Sequence, residues 1–397
     1  MPHIVPRDYQ IQAISEGIDY FQKPSDFNAL MVLPTGSGKS IIIANIAKEL
    51  KGGTIIFQPS KEILEQNFAK YISYGYHAGI YSASFNRKEV RNVTFATIGS
   101  VKSNPHLFRD FPNVIIDESH LVNPERGMYK DFISNLKGAK LLGLTATPYR
   151  LHSSVYGGML KFLTRTRPKI FDKVIYHVQN KTLFDSGYLS KMNYYSIGGF
   201  DRSQVAAKGS EFDDQSLKLY YERITFSQHV ESIVNRLLKA GRKSILVFTK
   251  LISESEHLVK SIPDCELVTS ETPPKERERI IRSFRNGRLK AVCNVGVLTT
   301  GFDYPELSTI VLARPTMSLG LYYQMIGRGI RPHKDKEGCW VVDMCDNFRV
   351  FGKLEDLQLR LIQGKREPKW EVYSGNKQLT NVYYGKAKAE LPTWARK

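Results

Sequence analysis

Two tandem α/β lobes, each built on a mainly parallel sheet, are what this 397-residue sequence predicts. Three observations carry the prediction. Short apolar, β-branched runs alternate with amphipathic stretches from residue 29 to 147, and the same alternation returns from residue 244 to 343. Between the two, the periodicity fades while Gly, Ser and basic residues accumulate. Runs of this kind read as strands buried on both faces, and strand followed by helix is the repeat of a doubly wound sheet.

The strands expected in the first lobe are ALMVL (29–33), TIIFQ (54–58), NVTFATI (92–98), NVIID (113–117) and KLLGLT (140–145), with helices over 40–50 and 61–73. In the second they are SILVFT (244–249), KAVCNV (290–295), STIVLA (308–313) and CWVVD (339–343), with helices over 274–286 and 318–329. The domains are therefore set at 1–185 for lobe one, 186–222 for a linker, 223–363 for lobe two and 364–397 for a tail. Lys161, Arg165, Arg167 and Lys169 form a basic cluster. The tail interleaves eight Lys or Arg with Trp370, Tyr373, Tyr383, Tyr384 and Trp394. It reads either as a nucleic-acid contact or as aromatics packed back on the second lobe.

Composition narrows the function. The 42% hydrophobic content suits packed cores, and 57 basic against 39 acidic residues leave a net charge of +18 that favours a polyanionic partner. MPHIVPRDYQ lacks the pattern of a signal peptide, and no apolar run approaches the roughly 20 residues of a membrane span. A cytoplasmic protein without a membrane partner is expected. Cys265, Cys293, Cys339 and Cys345 are scattered without a CxxC pair, which reads as reduced core thiols and not as a zinc site or disulfide.

The sharpest chemical signal is PTGSGKS, comprising Pro34, Thr35, Gly36, Ser37, Gly38, Lys39 and Ser40, because it follows a strand and opens a helix. Its glycines let backbone amides close around phosphate oxygens, Lys39 reaches the outer phosphates, and Ser40 offers a hydroxyl to Mg2+. One departure from the general GxxxxGK[ST] pattern is Leu33, where the first glycine would stand. DESH, at 117–120, closes the run NVIID. Strand ends in open α/β sheets point into the ligand crevice, which suits Asp117 to hold Mg2+ and Glu118 to orient or deprotonate the attacking water. TAT at 145–147 puts two hydroxyls at another strand end. In the second lobe, Gln324, Arg328 and Arg331 of QMIGRGIRP recur at spacings that place them on one helix face, and arginines there suit the charge that develops in phosphoryl transfer.

Taken in order from residue 7 to about 345, this motif set resembles superfamily 2 helicases and translocases. The resemblance implies two RecA-like lobes with the ATP site in the cleft between them. RDYQ, with Arg7, Tyr9 and Gln10, is similar to the adenine-reading segment ahead of the phosphate loop, and PTGSGKS, DESH and TAT to motifs I, II and III. IIFQPSKEILEQ (55–66) and TIGSV (97–101) are similar to nucleic-acid-contacting motifs, and ILVFTK, NVGVLTTGFDYP and YYQMIGRGIRP to motifs IV, V and VI. The resemblance thus implies nucleic-acid contacts at Pro59, Ser60, Gly99, Ser100, Thr249 and Thr300, and cofactor contacts at Gly301 and Asp303. VGVLTTGFD, ARPTMS and QMIGRGIRP look most like the bacterial RadD branch, DNA-repair ATPases related to the XPB-like helicases, although the tail here lacks the cysteine-rich zinc element usual there. The implied activity is ATP hydrolysis, with Mg2+, coupled to unwinding, translocation on or remodelling of DNA. Three alternatives stand beside it: an RNA motor with the same core, a clamp that binds DNA without hydrolysis, and the motor of a restriction or defence complex. The clamp is disfavoured by the presence of Lys39, Ser40, Asp117, Glu118, Arg328 and Arg331 together.

Overall fold

A computed structural model describes residues 5–154, 157–298, 304–364 and 367–384. The chain divides into two compact units, Met1–Arg150 with Lys161–Gln179, and Leu151–Leu160 with Asn180–Lys397.

In the first unit the chain runs through α1 (Asp8–Gln22), β1 (Ala29–Val32), α2 (Lys39–Glu49), β2 (Thr54–Phe57), α3 (Lys61–Ser73), β3 (Gly79–Ser82), β4 (Arg87–Lys88), β5 (Val93–Ala96), α4 (Ile98–Val101), β6 (Asn113–Asp117), α5 (Met128–Ser134) and β7 (Lys140–Thr145). Between β7 and β10 (Lys173–His177) come β8 (Tyr149–Ser154) and β9 (Gly157–Phe162), which are neighbours in a small separate sheet and carry the Leu151–Leu160 part of the second unit. Eight of these strands form one sheet in the order β10-β1-β7-β6-β2-β5-β3-β4, parallel throughout except for the β3–β4 pair. Every residue of β1, β2, β5 and β6 is buried, as strands covered on both faces must be. Two strands beyond the expected five complete the parallel set. β3 reads GIYS, with Gly79 and Ser82 at its ends, and β10 is only half-buried, so neither has the continuous apolar run that betrays a central strand.

In the second unit follow α6 (Asn180–Asp185), β11 (Met192–Ser196), β12 (Ala207–Lys208), β13 (Glu211–Phe212), α7 (Asp214–Arg223), α8 (Phe226–Lys239), β14 (Ile245–Thr249), α9 (Ile252–Ser261), β15 (Cys265–Val268), α10 (Pro274–Arg285), β16 (Ala291–Asn294), β17 (Thr309–Ala313), α11 (Leu319–Ile326), β18 (Cys339–Asp343), α12 (Asn347–Phe351), β19 (Leu357–Ile362), β20 (Lys369–Ser374), β21 (Lys377–Gln378) and β22 (Tyr383–Tyr384). Its main sheet, in the order β11-β18-β17-β14-β16-β15, is parallel throughout. Together the two sheets give the two-lobe α/β architecture expected from the sequence.

The segment 186–222 is not a free linker. β11 pairs with β18 over its whole length, from Met192 opposite Cys339 to Ser196 opposite Asp343. Leu217, Tyr220 and Tyr221 of α7 are buried in the same core as Phe226 and Val230, and Tyr221 stacks on Phe226 at 4.1 Å. The sequence hides this because an edge strand such as MNYYS shows one half-exposed face. The tail is likewise folded in part. β19 and β20 pair antiparallel, Val372 and Leu379 are buried, and Arg360 lies 4.5 Å over the Tyr373 ring. Trp394 and the basic residues at 365, 366, 386, 388, 396 and 397 lie outside the described residues. The four cysteines are free and buried, with the Cys265 and Cys293 sulfurs 3.7 Å apart on neighbouring strands. Among the described residues, no helix is long and apolar enough to cross a membrane.

Candidate active site

Strand order places the chemistry. In the first unit the carboxyl ends of β1, β7 and β6, which are adjacent, carry PTGSGKS, TAT and DESH. The next two strands, β2 and β5, carry Pro59 with Ser60 and Gly99 with Ser100 just beyond their own carboxyl ends. Parallel pairing thus gathers segments more than eighty residues apart along one edge of a sheet, where α/β ligand sites form.

The phosphate loop leaves the sheet at Leu33, whose amide donates to the Thr145 carbonyl at 2.9 Å. Leu33 is fully buried, so at this position the chain still behaves as strand and needs a core side chain, not a glycine. The reversal falls instead at Gly36 and Gly38, both at φ +80°. Gly38 is the N-cap of α2 and supplies no side chain, which leaves the first amides of that helix for an anion. A Cβ on Gly38 would come within 2.5 Å of Gln10 Nε2. Gln10 is itself buried. Its Oε1 accepts from the Arg7 amide at 2.9 Å, and its Nε2 donates to the Ser37 carbonyl at 2.8 Å, where the Tyr9 hydroxyl donates as well, also at 2.8 Å. The RDYQ segment therefore braces the phosphate loop, and the Gln10 amide is spent on backbone.

Across the loop, Lys39 Nζ lies 3.0 Å from Glu118 Oε1. Glu118 sits at φ 50°, a left-handed conformation uncommon for a residue with a Cβ, which turns its carboxylate back over the strand end. Its other oxygen is 3.3 Å from His120 Nδ1, and that nitrogen lies 2.9 Å from Thr145 Oγ1. Thr145 Oγ1 accepts from the Thr147 amide at 3.0 Å, and Arg150 Nη1 donates to the His120 carbonyl at 2.7 Å. Motifs read separately in the sequence are thus one polar network. Burial works against ionisation of Glu118, but Lys39 and His120 outweigh it and hold that carboxyl well below the usual carboxylate range.

Asp117 is different. Burial, then the adjacent Glu118 charge, pushes its carboxyl up to about 7, against the pull of Lys39. A buried carboxylate with a backbone amide as its hydrogen-bond donor, 2.9 Å away at Glu118, is the kind of oxygen a divalent cation stabilises. Ser40 offers the second oxygen. With only these two oxygens named, Mg2+ here would lean on phosphate and water, its usual habit in nucleotide sites. Lys70, which donates from α3 to Ser40 Oγ at 3.1 Å, belongs to no motif, since a lysine on an amphipathic helix has no signature in the chain.

The predicted nucleic-acid contacts divide. Ser60 Oγ caps α3 by accepting from the Ile63 amide at 3.3 Å, and Ser100 Oγ accepts from the Ala83 amide at 2.8 Å, while Gly99 is exposed with open space around it. Thr249 does not fit the expectation. It is fully buried and its hydroxyl is 2.6 Å from Ser255 Oγ, because β14 ends inside the core. Thr300, Gly301 and Asp303 lie outside the described residues.

In the second unit Gln324, Arg328 and Arg331 do not share a helix face. α11 stops at Ile326, where Gly327 caps it, and Arg328 lies in the turn beyond, its Nε donating to the Gln324 carbonyl at 3.3 Å. Beyond that end, Gly329 packs close against the sheet strands, where a Cβ would collide with Cys339 Sγ and press on Ile310 Cδ1, so glycine is needed at this position.

Two family models match the chain: the res subunit of type III restriction enzymes over residues 3–150, and the helicase conserved C-terminal domain over residues 228–333. Among curated proteins, a 51.5 kDa protein of a Lactococcus phage is 27% identical over 80% of this chain and 66% of its own length. The DNA 3'-5' translocase XPB2 of Sulfurisphaera tokodaii is 25% identical over 83% of this chain and 79% of its length. The DNA 3'-5' helicase XPB of Kineococcus radiotolerans is 27% identical over 83% of this chain, which spans only 58% of that protein. Among solved structures, the DNA-bound type ISP restriction-modification enzyme LlaBIII superposes with a TM-score of 0.63 at 16% identity, over 87% of this chain and 28% of that one. The Hef helicase domain of Pyrococcus furiosus gives 0.52 at 14%, over 87% and 96%. At such identities the structural likeness establishes the fold.

Proposed function

Because the chain belongs to the superfamily 2 helicases, in an XPB-like branch, we propose that it hydrolyses ATP and uses the cycle to unwind, or move along, DNA. The observation that carries the reading is the contact of Lys39 with Glu118, which joins the phosphate loop to the DESH carboxylates at one sheet edge. In this reading the amides at the start of α2 and the Lys39 ammonium take the triphosphate, Asp117 and Ser40 hold Mg2+, and Glu118 orients the attacking water. Bound Mg2+ supplies charge neutralisation at the phosphates. Arg328 and Arg331 lend positive charge to the phosphoryl group in transfer. Ser60, Gly99 and Ser100, just beyond the carboxyl ends of β2 and β5, meet the sugar-phosphate backbone, and the net charge of +18 supports that contact.

One assay tests it: ATP turnover with single-stranded DNA, duplex DNA, branched DNA and RNA as activators. Stimulation by DNA over RNA is expected, and equal or greater stimulation by RNA would sink the DNA assignment. A second reading, the motor of a restriction complex, has the match of residues 3–150 to a restriction-enzyme subunit in its favour. It predicts that turnover needs a partner chain, so DNA-stimulated turnover by this chain alone favours the first.

A further inference from the structure

We infer that Lys336, which lies outside every motif read above, is a positioning residue that fixes the backbone carrying Arg328 and Arg331. The inference rests on the ATPase reading just given. The Lys336 ammonium donates to three carbonyls: Gly329 at 2.6 Å, Arg331 at 2.9 Å and Pro305 at 3.2 Å. Two belong to the arginine segment and the third ends TTGFDYP, so one side chain ties the segments resembling motifs V and VI.

The need for such a tie follows from where the helix ends. Residues 327–331 lie beyond α11 and in no strand, so no regular ladder fixes them. Three consecutive carbonyls are held instead from outside the segment. Lys336 takes those of Gly329 and Arg331, and the Ser190 amide donates to that of Ile330 between them at 2.7 Å. An ammonium has three N–H donors in tetrahedral array and no acceptor, so these carbonyls use all of it. The turn that delivers Lys336 is closed as well, with its amide donating to the His333 carbonyl at 3.1 Å.

Stability alone does not ask for a charge here. Lys336 is half-buried, and among the described residues no carboxylate lies within ion-pair distance of it. Burial pushes its amine down to about 8. Removing an unpaired ammonium from water is costly, and an apolar side chain of the same length would fill the space without that cost. What an apolar residue cannot do is hold Arg331's carbonyl in one place, and an arginine displaced by about an ångström is a poor stabiliser of transferring charge.

The test uses the full chain with Lys336→Met, which keeps the length and removes the donors, and Lys336→Gln, which keeps two. ATP affinity, the kcat and KM of DNA-stimulated turnover, and thermal melting are measured for both, alone and combined with Arg331→Ala. The expected result is a folded Lys336→Met protein with ATP affinity within about twofold of wild type and kcat at least tenfold lower. Lys336→Gln falls between. In the Arg331→Ala background Lys336→Met lowers kcat no further, a coupling that a merely structural residue would not show. An unchanged kcat in Lys336→Met, an additive loss in the double variant, or failure of both single variants to fold would overturn the proposal while leaving the ATPase reading intact. If Arg331→Ala itself turns over at the wild-type rate, the role given to the arginines fails first, and this proposal with it.

Discussion

Lys39 and Glu118 hold each other at 3.0 Å, and the two residues have separable tasks. Lys39→Ala removes the ammonium proposed to take the triphosphate, so ATP turnover is expected to vanish while DNA binding persists, as read by filter binding beside a phosphate-release assay. Turnover at the wild-type rate would refute the loop assignment. Glu118→Gln keeps the shape but loses the charge to which we assign the orienting of water. Nucleotide binding should survive while turnover falls by roughly 10²- to 10⁴-fold, the usual range for a positioned base. Gln10 gives a third, purely mechanical prediction. Its hydrogen bonds with the Arg7 amide and the Ser37 carbonyl brace the loop, so Gln10→Ala should cost about 1–3 kcal/mol of stability, seen in the denaturant midpoint. A midpoint unmoved by the substitution would mean that Tyr9 alone carries the brace.

At the scale of the element, the end of α11 decides how the arginines are presented. A helix continuing to residue 331 would have fixed them by its own hydrogen bonds, whereas the stop at Gly327 leaves them on irregular backbone. Gly329→Ala must displace Cys339 or Ile310, and such overpacking costs typically about 1–3 kcal/mol. We expect a lower melting temperature together with a lower kcat, and an unaffected kcat in a destabilised protein would separate packing from presentation. Arg328→Ala and Arg331→Ala should each reduce turnover on the order of 10³-fold with little change in ATP affinity. Equal losses in both quantities would show that they bind the ground state instead.

For the whole molecule, a net charge of +18 sets how nucleic acid should be held. A motor that grips phosphates and ignores base edges releases counterions, so affinity for DNA should drop on the order of 10³-fold between 50 and 200 mM salt and vary little with base sequence. A shallow salt slope, or strong sequence preference, would contradict it. The tail enters the same account differently from its composition. Val372 and Leu379 are buried, and burying two such side chains is worth roughly 3–6 kcal/mol, so deleting residues 367–397 should lower the melting temperature as well as any DNA affinity. Loss of affinity without any loss of stability would show that the packed part of the tail is dispensable.

The sequence by itself determined the two α/β lobes, the central strands and the phosphate-binding loop, because long buried runs and a glycine-rich strand-to-helix turn are local patterns. β1, β2, β6, β14, β17 and β18 fall where their apolar runs put them. Edge strands such as β11, with one face half-exposed, give no such run, and so 186–222 read as a linker. The tertiary structure alone decided which distant residues share a site. Parallel pairing set β7 between β1 and β6, which brought Thr145 to His120, His120 to Glu118 and Glu118 to Lys39. It also buried Thr249, ended α11 before Arg328 and placed Lys336 against the arginine segment. None of these is periodic in the chain, because each depends on what the sheet packs against and not on the spacing of neighbours in sequence.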